Sequence, residues 1–333
     1  MNMTKRTIQA AAAIPGLLLL LSAFPAGAQS AEPGETLWDD TMMVAAADDS
    51  GADEPRQWAD EGAETCLECH DDPEVMGITH RAHAQMGDSR TPFAARQCEA
   101  CHGASPQHLE KPAEGEKRKP PTVVFGKDSP TPVDEQNAVC LDCHESSERM
   151  HWRGSSHQFA GLSCATCHKP HQSRSPMESG EGQQDTCFDC HTEIRAQINK
   201  RSHHPIRENI LSCSDCHNPH GSFTRANLSG TTVNQTCYEC HEEKRGPFLW
   251  EHQPVREDCT TCHTPHGSTQ PNLLETRGPW LCQRCHSAQF HPSTLYDGNT
   301  VQELDDHVIA NNCLNCHTKV HGSNHPSGVR FLR

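Results

Sequence analysis

Apolar residues in this chain almost never fall into the long periodic runs from which a packed core is assembled. One run stands out, Ala11 to Phe24, behind Lys5 and Arg6 and ahead of Ala26-Gly27-Ala28. A charged end, an apolar stretch and a small-residue cleavage site are the parts of a secretory signal, so residues 1–28 are expected to be removed on export. The run falls short of the ~20 apolar residues a spanning helix needs, and Pro15 breaks it. No later stretch is apolar enough to cross a membrane, and no series of alternating strands suggests a barrel. Helical periodicity is confined to short segments such as Thr192 to Arg201, expected to lie just after the first motif of a pair and to end near His204-Pro205. Pro170-His171, Pro219-His220-Gly221 and Pro265-His266-Gly267 read as turns that aim a histidine. The predicted class is mostly irregular coil with short α-helices and little or no β-structure.

A different periodicity organises the chain. Ten C-x-x-C-H signatures occur, and they use every cysteine: Cys66, Cys69 and His70; Cys98, Cys101 and His102; Cys140, Cys143 and His144; Cys164, Cys167 and His168; Cys187, Cys190 and His191; Cys213, Cys216 and His217; Cys237, Cys240 and His241; Cys259, Cys262 and His263; Cys282, Cys285 and His286; Cys313, Cys316 and His317. Two thiols held two residues apart add across the vinyl groups of one porphyrin, and the adjacent histidine then ligates its iron. A zinc ribbon or a disulfide framework also uses paired cysteines, but neither requires a histidine after every pair. The motifs predict a multihaem cytochrome c with ten covalently attached haems.

Composition changes the picture of how such a chain folds. Its 333 residues are 34% hydrophobic and 5% aromatic, with a mean hydropathy of -0.75, which leaves the polypeptide short of core. Ten porphyrins supply the missing apolar surface, so the chain is expected to wrap a haem stack and to fold only as haem is attached. Covalent attachment belongs outside the cytoplasm, in agreement with the signal. Losing Lys5 and Arg6 takes the formal charge from -16 to -18, which argues against nucleic acid as a partner and favours cationic or metal-bearing ones. Residues 29–64 hold eleven acids against the single base Arg56 and read as an acidic flexible leader. Within it, Trp38, Met42, Met43 and Val44 are suited to cover the first haem or to dock on a partner. Residues 65–333 form the decahaem domain.

The motifs come in pairs. First members start at 66, 140, 187, 237 and 282, and second members at 98, 164, 213, 259 and 313. Five two-haem modules in series predict an elongated array in which each unit mainly touches its neighbours. Residues Pro106 to Pro132, rich in proline, lysine and glycine, read as a surface loop that sets the first module apart.

Ten histidines are proximal, and fifteen remain. After the second motif of each pair a histidine follows the proximal one by three to six residues: His108, His171, His220, His266 and His321. Three residues span at most ~10 Å, too little to pass round a porphyrin, so these are expected to ligate a neighbouring haem. After the first motif, His83, His157 and His204 lie thirteen residues beyond the proximal histidine and His252 eleven beyond, which favours them over His80, His151 and His203. In the fifth module His291 and His307 compete, and spacing to the next cysteine pair favours His307. Histidine on both faces leaves iron no open position, which suits electron transfer rather than substrate binding.

The stretches Cys213-Ser-Asp-Cys-His-Asn-Pro-His-Gly-Ser222, Glu243-Lys-Arg-Gly-Pro247, Leu249-Trp-Glu-His252, and Cys313-Leu-Asn-Cys-His317 through His321-Gly-Ser-Asn-His-Pro-Ser-Gly328 closely resemble the MtrA/DmsE family of periplasmic decahaem cytochromes. The likeness runs from about Cys66 to the C-terminus. It implies a rod of bis-histidine haems seated inside an outer-membrane β-barrel porin of the MtrB type. Electrons would then pass between periplasmic or inner-membrane donors and an outer-surface multihaem cytochrome, terminal reductase or mineral. The family places a histidine five residues after the penultimate signature, matched by His291, and on that resemblance His291 is preferred as the tenth distal ligand. A free periplasmic shuttle to a soluble reductase and a multihaem reductase are the competing readings. No residue is expected to act as acid, base or nucleophile.

Overall fold

The computed structural model describes residues 57–286 and 312–333. His291 and His307 therefore both lie outside the described residues, as do the signal segment and most of the acidic leader. No named strand occurs among the described residues, and β-pairing is limited to four isolated bridges. The longest helix there, Val133–His144, has twelve residues.

Short helical segments follow the first motif of a pair as expected, Pro73–Met76, Thr192–Ile198 and the 3-10 turns Ser147–Arg149 and Glu242–Lys244. Four further helices, which the hydrophobic pattern did not indicate, run into the first motif itself: Ala63–Leu67, Gly180–Phe188, Val233–Tyr238 and Gly278–Gln283. Val133–His144 contains its whole motif. The physical reason is local. A helical turn brings residues i, i+3 and i+4 to one face, so C-x-x-C-H presents both thiols and the imidazole together only when helical. The backbone closes that turn at every other motif, with each histidine N–H donating to the carbonyl of the first cysteine at 2.9–3.1 Å, as in His70 to Cys66 and His317 to Cys313.

Apolar burial is slight. Trp152 and Ile198 are the buried hydrophobic side chains among the described residues, while Phe223 is 93% and Ile210 73% exposed. Polar side chains hold the modules instead. Buried Asn234, three residues ahead of Cys237, accepts from the Cys259 N–H at 2.8 Å and donates to the Val255 and Arg256 carbonyls. Asn137 stands in the same place ahead of Cys140, accepting from Cys164 N–H and donating to Leu162 O. Each asparagine ties the first motif of a pair to the second.

Neighbouring modules are joined by backbone. Ser202 and Ser268 exchange N–H···O bonds of 3.0 and 2.7 Å, and Trp250 and Ser323 do so at 2.9 Å each. These residues stand two before His204 and His252, and two after His266 and His321. Gly267 belongs at such a junction because a Cβ there would collide with the Gln197 carbonyl oxygen.

Two segments are more integrated than composition suggests. Residues 57–64, acidic like the leader, pack on the first module: Ala59 N–H donates to the Glu99 carboxylate, and Arg96 lies over the Trp58 ring at 4.5 Å. The Pro106 to Pro132 segment is exposed through its charged stretch but returns to pair with the second motif, Val123 N–H donating to His102 O at 2.9 Å.

Candidate haem-binding sites

No disulfide joins any of the twenty cysteines, and their arrangement follows chain order. Within each pair of motifs the first cysteines face one another, Cys66 with Cys98, Cys140 with Cys164, Cys187 with Cys213, Cys237 with Cys259, and Cys282 with Cys313. Between pairs the second cysteines lie close enough to couple electrostatically, Cys101 with Cys143, Cys167 with Cys190, Cys216 with Cys240, and Cys262 with Cys285. Burial, then the facing thiol, pushes Cys66 and Cys282 up to about 11. For Cys140, Cys187 and Cys237 the facing thiol is the larger cause and burial the second. The hydrogen bond from the facing thiol conversely lowers Cys164, Cys213 and Cys259, Cys213 to about 7.

The histidines are paired with more regularity still. Nine times, the histidine of a motif faces a histidine from another part of the chain with ring centroids 5.8–6.3 Å apart. Metal–imidazole bonds are about 2 Å and the ring centre lies about 1 Å behind the bonding nitrogen, so two rings sharing one metal put their centroids about 6 Å apart. Direct ring stacking does not require that constant spacing across interplanar angles from 7° to 81°.

The pairing obeys a rule. A histidine following an odd motif meets the motif two further on: His83 with His144, His157 with His191, His204 with His241, His252 with His286. A histidine following an even motif meets the motif two back: His171 with His102, His220 with His168, His266 with His217, His321 with His263. At the first end the rule turns on itself, and His108 meets His70.

Backbone carbonyls orient these rings. The Nδ1 of His157 lies 2.7 Å from Pro219 O, that of His204 2.6 Å from Pro265 O, and that of His252 3.1 Å from Val320 O. Each carbonyl belongs to the residue just before the paired histidine of the next module. His171 uses Val75 O, His108 uses Lys119 O, and the motif histidines His102, His217, His263 and His317 use Val123, Ala226, Asn272 and Arg330. An Nδ1 that donates to a carbonyl leaves Nε2 as the free ligating nitrogen of a neutral imidazole. Burial also holds His83, His102, His168, His220, His252, His266 and His321 below the ordinary histidine range, which favours the same neutral form.

The spare histidines have other partners. His203 bonds Lys200 O and Glu208, His151 packs its ring on Phe223 at 4.3 Å, and His325 accepts from Ser327. His80 ends a short 3-10 turn, Gly77–His80.

One cavity of about 3150 Å³ runs from Arg81 and His83 to Leu332, past the paired histidines and cysteines from the third motif onward. Met150, Ile210 and Phe223, among the most exposed apolar side chains, line it. Apolar walls, thiol pairs on helical turns and imidazoles at metal-sharing distance fit c-type haem.

Comparison with known proteins agrees. Residues 203–246 and 252–291 match the doubled CXXCH motif family, and residues 98–183 match the NrfB-like cytochrome c-type proteins. The chain is 44% identical over 281 residues to the multihaem cytochrome MtrA of Shewanella baltica (strain OS185), covering 83% of each. It is also 32% identical over 139 residues to the cytochrome c-type protein NrfB of Escherichia coli O6:H1 (strain CFT073), covering 40% of this chain and 68% of that one. The NrfB of Haemophilus influenzae is 29% identical over 124 residues, covering 35% and 53%. With doubled attachment motifs throughout and an MtrA relative spanning most of its length, the chain belongs to the MtrA family of multihaem c-type cytochromes.

Proposed function

We propose that this electron-transfer cytochrome carries ten haems, each held by a motif histidine and a second histidine, and conducts electrons across the outer membrane inside a β-barrel porin partner. The observation that carries the first half is the constant ring spacing near 6 Å in nine histidine pairs. The pairs to ligate are His70 with His108, His102 with His171, His144 with His83, His168 with His220, His191 with His157, His217 with His266, His241 with His204, His263 with His321, and His286 with His252. For the tenth, the same closure seen at the first end pairs His317 with a histidine following the ninth motif, and His291 is our choice. Haem iron between two imidazoles changes between ferric and ferrous without an open coordination site, which supplies electron transfer and not substrate turnover. The chain's part is to fix ring orientation through the Nδ1 carbonyl bonds and to hold successive attachment motifs against each other in order.

The second half draws on kinship with MtrA and on the membrane itself. No helix among the described residues is long and apolar enough to cross a bilayer, and hydrocarbon tolerates neither charged surface nor irregular backbone. A coil of this polarity passes such a barrier only within a polar-lined barrel. The signal read at residues 1–28 supports export to the periplasm, and in this reading periplasmic or inner-membrane donors stand on one side and an outer-surface multihaem cytochrome or terminal reductase on the other. The NrfB-like match over residues 98–183 favours a second reading, a free periplasmic shuttle to a soluble reductase.

Liposomes that enclose a redox dye distinguish the two. The protein reconstituted with its candidate porin is expected to reduce the dye from an external reductant, and neither protein alone to do so. Failure of the pair to conduct, with fast electron exchange between the free cytochrome and a periplasmic reductase, would establish the shuttle.

A further inference from the structure

Two buried side-chain nitrogens lack a hydrogen-bond partner among the described residues, Arg149 Nε and Trp152 Nε1. They lie three residues apart, on and just after the short 3-10 turn Ser147–Arg149, with Trp152 N–H donating to Arg149 O at 2.9 Å. Both side chains line the continuous cavity. Both orphans are donors, and a buried donor without an acceptor is destabilising, more so when it carries charge. The site thus demands an acceptor, preferably an anion.

Its position identifies which haem supplies that anion. The Trp152 ring lies 6.4 Å from the His220 ring, and His220 in turn faces His168 in a nearly parallel pair, 6.0 Å and 7°. Arg149, Trp152 and both members of that pair line the same cavity. A porphyrin held between His168 and His220, which line this cavity, would bring its propionate carboxylates into it.

We propose that Arg149 and Trp152 together bind a propionate of the haem attached at Cys164 and Cys167, and that the Arg149 charge raises the reduction potential of that haem above what its imidazole pair alone would set. A fixed guanidinium disfavours the more positive ferric state, and it neutralises the carboxylate that would otherwise favour it. In a chain with a formal charge of -16, a cation committed to one haem makes a local step in an otherwise electronegative array.

This rests on ligation by His168 and His220, and the test separates the two. Spectroelectrochemical titration of the intact holoprotein is compared with Arg149→Gln, Arg149→Lys and Trp152→Phe. In Arg149→Gln one centre in ten is expected to move to lower potential, its reduction constant falling about tenfold, the scale of one unit charge about 12 Å from the iron at an effective dielectric near 20. Trp152→Phe moves the same centre in the same direction by less, and Arg149→Lys restores most of the shift. If ten low-spin centres are present and no variant moves a potential, the propionate assignment is wrong while the ligation stands. A parent protein with fewer than ten low-spin centres overturns the ligation itself. Should the variants fail to mature, a crystal structure of the parent holoprotein decides: a propionate oxygen within hydrogen-bond distance of Arg149 Nε supports the proposal, and its absence overturns it.

Discussion

At the scale of the residue, the histidines divide by what their rings face. Those that follow a motif at regular spacing face a motif histidine, and His151, His203 and His325 are taken up by a phenyl ring, a carboxylate and a serine. The contested tenth ligand belongs to this scale. His291→Ala is expected to convert one of ten low-spin ferric centres to high-spin, read by electron paramagnetic resonance. His307→Ala is expected to leave all ten low-spin, and the reverse result would reassign the ligand. The chemistry of these sites was legible because attachment and ligation need fixed residue types at fixed spacing. Thirteen residues from proximal to second histidine picked out His83, His157 and His204 without reference to any fold. The orphan donors of Arg149 and Trp152 carried no such mark, because nothing in sequence says that an arginine and a tryptophan three apart will be buried without acceptors.

At the scale of the element, a short helix means something different here from its meaning in a packed domain. The motif-bearing turns are specified by the i, i+3, i+4 geometry of their ligands rather than by an amphipathic stripe. That explains why hydrophobic pattern gave no sign of the helices that carry the motifs: Val133–His144 and Gly180–Phe188 bury no apolar residue. The signal that would have found them is the polar residue three ahead of the first cysteine, Asn137 and Asn234, which bonds to the other motif of its pair. Junctions between modules depend on close backbone approach. Gly267→Ala is expected to lower unfolding stability by about 1–3 kcal/mol, since the new methyl group overlaps the Gln197 carbonyl and must part Ser202 from Ser268. Gly87→Ala, with open space around it, is expected to stay within about 0.5 kcal/mol. Thermal unfolding of the two holoproteins makes the comparison.

At the scale of the whole molecule, apolar burial by the chain supplies little cohesion: among the described residues Trp152 and Ile198 are the buried hydrophobic side chains, and hydrogen bonds join the modules. The expectation that such a chain folds only as haem is attached has a direct test. Protein produced without haem attachment is expected to lack the far-ultraviolet circular dichroism of its short helices and to be degraded at early times by added protease. The mature form is expected to resist both tests. A helical apoprotein of native protease resistance would show that the polypeptide folds without its porphyrins.

The pairing rule described above has a consequence for how such proteins change size. Histidines are passed forward from odd motifs and backward from even ones, always by two, so any interior module gives two away and receives two. Excise residues 187–236, a complete module, and the vacancies left at His168 and His241 are matched by the two rings set free, His266 and His157. Every interior joint is interchangeable in this sense, whereas the first end is not, since there the pattern turns back on itself. Length is thus a quantity this architecture can add or subtract in whole modules, as links are added to a chain between fixed clasps.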